Sequence, residues 1–223
     1  MFRHAIEADP DYALAYAGVA NASALIHMYY PSSEGNLESA DQASTRALEL
    51  DPELPEAHAA RGFALSMLKR FAEAEQKFLT AIRLDPKLYE ARYFYARPCF
   101  QQGKLAEAEV QYRRALQVTE KHMQLNPDDP RAATMRPVSL CRLGRLEEGL
   151  HWAEQALAID PEDAGVRYNV ACLYALEGEV DRAMDCLEDA IRVGFGNRGW
   201  IEQDPDLASI REHPRFQRLL ERL

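Results

Sequence analysis

Metal binding and nucleophilic catalysis both need His, Cys or carboxylates at short, fixed spacings. The six histidines (His4, His27, His58, His122, His151, His213) never pair at i, i+4, and none stands beside a cysteine at ligand spacing. Cys99, Cys141, Cys172 and Cys186 lie far apart with no CxxC, the pattern of reduced, buried thiols rather than of bridges or a zinc site. GFGNRG (194–199) has the letters of a dinucleotide loop, but a helical pattern precedes it where pyrophosphate binding needs a strand. A glycine helix stop and a turn are expected there. No GxxxxGKS/T, HExxH or GxSxG occurs. The acids are spread along helix-like segments such as EAEQKF (73–78), where solvent and i, i+4 partners satisfy them. No nucleophile, base and orienting group can be named together, so the sequence reads as that of a non-enzyme holding neither cofactor nor metal.

Composition narrows the partners. The 223 residues are 47% hydrophobic and carry 26 Lys and Arg against 36 Asp and Glu, a net charge of −10. Such a chain is long enough for a large core, and its acidity and lack of basic runs disfavour nucleic acid and anionic membrane surfaces. MFRHAIEADP (1–10) has no apolar signal core, and no window has the roughly eighteen unbroken apolar residues that span a bilayer. A cytoplasmic protein is expected.

The elements that position these residues come from a repeat. ALELDPELPEA (47–57), AIRLDPKLYEA (81–91) and ALAIDPEDAGV (156–166) share one pattern, with variants at AIEADPDYALA (5–15) and MQLNPDDPRA (123–132). Pro10, Pro52, Pro86, Pro127 and Pro161 are spaced by 42, 34, 41 and 34 residues, a 34-residue period with eight residues inserted once and seven once. Ala47, Ala81, Ala115, Ala156 and Ala190 are equivalent, and so are Ala40, Ala74, Ala108, Gly149 and Ala183 seven residues earlier. Two helical turns separate the sets, so small residues share one face where helices can approach closely. Gly103, Gly144 and Gly178 fall between the two helices of a unit, and Asp-Pro ends the second.

With small residues inside the second helix, Asp-Pro at its end and a 34-residue period, the chain resembles the tetratricopeptide repeat along essentially its whole length. The resemblance implies an all-α fold, an α-solenoid of antiparallel helix pairs: five units after a half unit, then a C-terminal helical cap. The first helices are expected near 12–28, 55–68, 88–102, 130–143 and 163–177, and the second near 36–50, 71–84, 105–125, 146–159 and 180–193. Residues 1–193 form the array and 194–223 the capping segment, whose Phe195, Trp200, Ile201, Leu207, Ile210, Phe216, Leu219, Leu220 and Leu223 can cover the open end. The insertion HMYYPSSE (27–34) puts Met28, Tyr29 and Tyr30 at the edge of the first unit. Arg61 and Arg136 stand where such repeats usually carry Leu, and either snorkel past neighbours or point into the groove. Pro98 and Pro137 fall inside first helices, where a kink is tolerated or bends the groove.

The resemblance also implies a binding face. Its first helices line a concave groove, and the places that face it hold Asn21, Phe63, Tyr93, Phe94, Arg97, Phe100, Arg131, Arg142, Tyr168 and Asn169. Aromatic rings and bidentate Arg suit a peptide or protein segment with an acidic group, so a scaffold that binds one there is expected. Of the family's carboxylate clamp, whose places read Ala17, Asn21, Ala60, Glu90 and Phe94, only Asn21 matches. Residues 168–191 and the cap are similar to the terminal segment of bacterial arrays joined to cyclases, kinases or winged-helix regulators. The alternative is therefore a regulatory portion of a larger bacterial signalling protein. FRHAIEADP (2–10) reads as the end of a second helix with no first helix before it. A longer natural chain, or a homodimer formed through this end, would cover its apolar flank.

Overall fold

Asp-Pro punctuates the chain by a local hydrogen bond. At four of the repeat junctions the aspartate Oδ1 accepts the backbone N–H two residues on: Asp9 from Asp11 (3.1 Å), Asp51 from Glu53 (3.0 Å), Asp85 from Lys87 (2.8 Å) and Asp160 from Glu162 (3.3 Å). The side chain thereby closes a turn that proline cannot continue as helix. At the fifth junction the Asn126 amide instead donates to the His122 carbonyl. The computed structural model describes residues 1–30 and 34–223; the rest of the 27–34 insertion lies outside the described residues. Among the described residues there are thirteen α-helices, one short 3-10 helix and no strand.

Two compact units divide the described residues, one formed by 1–28 and 34–118, the other by 29–30 and 119–223. Unit one holds α1 (Phe2–Ala8), α2 (Ala13–Tyr29, to residue 28), α3 (Glu34–Leu50), α4 (Pro55–Met67), α5 (Phe71–Leu84), α6 (Tyr89–Gln101) and the first part of α7 (Leu105–Leu125). The repeated small residues make its seams: Ala17 and Ala20 of α2, Ala43 and Ala47 of α3, and Ala57 and Ala60 of α4 form one buried cluster. Ala59, Ala81 and Ala91 form the next, across α4, α5 and α6. Methyl groups on all sides let the backbones approach, and many weak dispersion contacts add up there. The seven-residue insertion lengthens α7 to 21 residues without breaking it.

The turn inside each repeat needs a left-handed residue. Gly103 (φ 73°), Gly144 (φ 75°) and Gly178 (φ 80°) supply it, as the sequence implies. Between α4 and α5 the same place is taken by Lys69 at φ 59°, the one non-glycine residue with positive φ among those described. A Cβ in this conformation costs about 1–2 kcal/mol. Hydrogen bonds from Lys69 N–H to the Ser66 carbonyl and from Arg70 N–H to the Leu65 carbonyl hold it.

Unit two holds the rest of α7, then α8 (Pro130–Arg142), α9 (Leu146–Ile159), α10 (Ala164–Glu177) and α11 (Val180–Arg192). The C-terminal segment follows as α12 (Arg198–Gln203), a 3-10 turn (Pro205–Leu207) and α13 (Pro214–Leu220). Phe195, Ile201, Leu207, Ile210 and Phe216 are fully buried in the same core as Val166, Leu173, Met184 and Leu187 of α10 and α11. Leu223 alone of the expected covering residues is exposed. Pro98 and Pro137 lie inside α6 and α8, which run on through both.

Arg61 and Arg136 pack against neighbouring helices. The Arg61 guanidinium donates to the Asp41 carboxylate and to Ser44 Oγ on α3. Arg136 lies 3.4 Å above the Trp152 ring, within 3.4 Å of Glu120.

Candidate functional site

Three of the six expected concave residues of unit one are packed on one another. Phe63 of α4 stacks on Phe94 of α6 at 4.1 Å between centroids and 14° between planes. Tyr93 meets Phe94 and the Tyr112 ring of α7 edge-on, at 5.4 and 6.2 Å. All three residues on α4 and α6 are buried, which makes this a core contact between successive repeats. Arg97 is half-buried, with Nη1 3.1 Å from the Met28 Sδ. Met28 is itself buried, so this side chain of the insertion packs inside unit one rather than standing at an edge. Asn21 is half-buried on α2, and its Oδ1 finds no hydrogen-bond partner among the described residues.

Unit two does different chemistry: Tyr168 stands at the repeat place of Tyr93, and Arg142 near the end of its first helix. Arg142, at the end of α8, makes a two-pronged ion pair with Asp206: Nη1 to Oδ1 at 2.7 Å and Nη2 to Oδ2 at 2.5 Å. Tyr168 of α10 donates its hydroxyl to Asp204 Oδ2 at 2.7 Å, while its ring stacks on Phe195 at 4.1 Å and 4°. Burial, with the Asp204 and Cys172 groups nearby, pushes the Tyr168 hydroxyl well above its ordinary range, so it stays a donor. Tyr29 lies 5.6 Å from the Phe195 ring, and its carbonyl accepts the Gly196 N–H at 2.9 Å. Asn169 is half-buried with Nδ2 unpartnered among the described residues, and Arg131 is exposed at the start of α8.

Sequence reasoning missed Asp204 and Asp206. The signal was there: Asp204-Pro205 repeats the junction motif, and Asp204 Oδ1 accepts the Asp206 N–H at 3.0 Å just as the other Asp-Pro steps do. Cys172, Asp204 and Asp206 offer ligand atoms within 4.8 Å of one another. Arg142 and Tyr168 already bond the two carboxylates, and burial pushes the Cys172 thiol far up, so a side-chain cation stands where a metal would be needed. Burial likewise raises Cys99 and Cys186 and pushes Cys141 up to about 12, leaving no activated thiolate among the four. The helix before GFGNRG is α11, and Gly194 at φ 116° ends it. No described helix is long and apolar enough to cross a membrane.

Helix pairs of this geometry, joined by left-handed turns and sealed by small-residue seams, define an all-α helical repeat of the solenoid class. Models of the tetratricopeptide repeat match residues 55–88, 100–131 and 164–193. The chain carries tetratricopeptide repeats, which support a protein-interaction module in the general sense. It is similar to a chloroplastic protein of Arabidopsis thaliana, 38% identical over 80 residues that make up 34% of this chain; it spans about a quarter, 24%, of that relative's length. Among solved structures it resembles TTC0263, a thermophilic TPR protein of Thermus thermophilus, at 20% identity and a TM-score of 0.57, covering 71% of this chain and 83% of that one. It also resembles PilF of Pseudomonas aeruginosa at 19% identity and a TM-score of 0.52, covering 93% and 99%. These likenesses concern the fold.

Proposed function

We propose that the protein is a non-catalytic scaffold whose first helices take up an extended segment of a partner protein. The observation that supports this is two asparagines, one in each unit, at places the repeat resemblance expects to face a groove. Asn21 Oδ1 and Asn169 Nδ2 are buried atoms without a hydrogen-bond partner among the described residues. Each such atom costs about 1–3 kcal/mol if it stays unpaired, a cost a ligand backbone would relieve. An amide side chain can donate to and accept from an extended chain, and so suits main-chain recognition regardless of the ligand's sequence.

Capture from cells with the unmodified protein, read by mass spectrometry, supplies the partner for the test. The variant with Asn21→Ala and Asn169→Ala removes two unsatisfied groups, so its melting temperature should hold or rise while partner affinity falls at least tenfold. Unchanged affinity would defeat the reading.

A further inference from the structure

We propose that the Asp204-Pro205-Asp206 turn is an intramolecular ligand, filling a two-carboxylate cradle on α8 and α10 and excluding external segments with the same Asp-x-Asp chemistry. The proposal rests on the groove reading above and adds to it the ligand class and its regulation. The cradle is built from successive repeats: the Arg142 fork ends α8, and the Tyr168 hydroxyl projects from α10. The fork takes both oxygens of one carboxylate, and the hydroxyl takes an oxygen of the other. Planar Arg and carboxylate groups match in this way only in a narrow range of orientations, which gives the cradle selectivity for carboxylates.

The turn is prepared for its place. Asp204 Oδ1 holds the Asp206 N–H at 3.0 Å, and Arg211 donates to the Asp204 carbonyl at 2.8 Å. Both carboxylates therefore face the cradle from a preformed backbone, two residues apart. Covalent attachment gives such a turn an effective concentration of at least about millimolar, so a free peptide of like chemistry competes poorly until the turn is weakened.

The apolar anchors of the C-terminal segment do not depend on these charges. Ile210 and Phe216 are fully buried beyond the turn, and Arg215 pairs with Asp185 and Glu188 of α11. Exchanging Asp204 and Asp206 for Asn weakens the inner ligand while leaving these contacts in place.

The test uses the full chain and a fluorescein-labelled peptide, Glu-Gln-Asp-Pro-Asp-Leu, followed by fluorescence polarisation. The variant with Asp204→Asn and Asp206→Asn should bind the peptide at least tenfold more tightly than the unmodified protein, and adding Arg142→Gln should abolish that gain. Equal binding by the unmodified protein and the double variant, lost with Arg142→Gln, would overturn the self-ligand while leaving the groove reading intact. Absence of binding by the double variant would overturn the proposal too, because the vacated cradle would then not take this chemistry; the asparagine test stands apart from that result. If the double variant loses its helical circular dichroism, Asp206→Asn alone is read by the same outcomes.

Discussion

Units one and two put the first-helix places expected to face a groove to opposite uses. Where unit one places Phe63, Tyr93 and Phe94, rings close on rings and the positions become core. Where unit two places Arg142 and Tyr168, polar groups reach past the helices to the carboxylates of Asp206 and Asp204. Register fixes the direction in which a side chain leaves its helix, while the chemistry of that side chain and of whatever segment meets it fixes the role. A groove-facing place in a helical repeat is thus an opportunity for binding that the chain itself can take up.

Removing the aromatic side of this contrast should have the largest effect. Phe63→Ala deletes a side chain 1% exposed and half of a stacked pair, with an expected loss of about 3–5 kcal/mol in urea unfolding. A loss below about 1 kcal/mol would mean that these rings are not core.

The ionic side comes next. Arg142 and Asp206 have side chains only 18% and 11% exposed, so Arg142→Ala strands a carboxylate in a poorly solvated place, at about 2–4 kcal/mol. Replacing both partners together, Arg142→Met with Asp206→Leu, should cost much less than the single change, because no charge is left unpaired. A double-mutant cycle measures the difference. Additive losses would show that the pair contributes only packing.

Lys69 carries the contrast into the turns. Lys69→Gly relieves a left-handed Cβ and should raise stability by about 1 kcal/mol, whereas Gly103→Ala at φ 73° should lower it by a similar amount. Thermal melts of both variants test this.

The smallest effect concerns pH. Burial lowers the His58 imidazole, although its Nε2–H donates to the Pro52 carbonyl at 2.8 Å, and its buried Nδ1 has no described partner for a second proton. With the folded value below the unfolded one, the unfolded chain binds more protons. The neutral ring's contribution is therefore complete above about pH 6.5 and is lost as pH falls below it. Denaturation midpoints of His58→Gln should lose that part of the acid slope and match the unmodified protein's trend above pH 7.

Much of the frame was legible because it is built from local rules repeated in register. Equivalent alanines, left-handed glycines and Asp-Pro steps each act within a few residues, so their spacing gave the helix pairs to within two residues at each end. Lys69 was not legible by residue type, since lysine gives no left-handed signal; only its place in the repeat marks it.

Residue order and spacing thus specified the all-α repeat, its helix boundaries and the residues at the places expected to face a groove. Which of those residues are used internally was settled only by long-range packing. Phe63 finds Phe94 31 residues away, and Arg142 finds Asp206 64 residues away, pairings that no short-range periodicity encodes. Ring stacking and ion pairing depend on which surfaces the packed helices bring within a few ångströms, a property of the assembled unit and not of any single repeat.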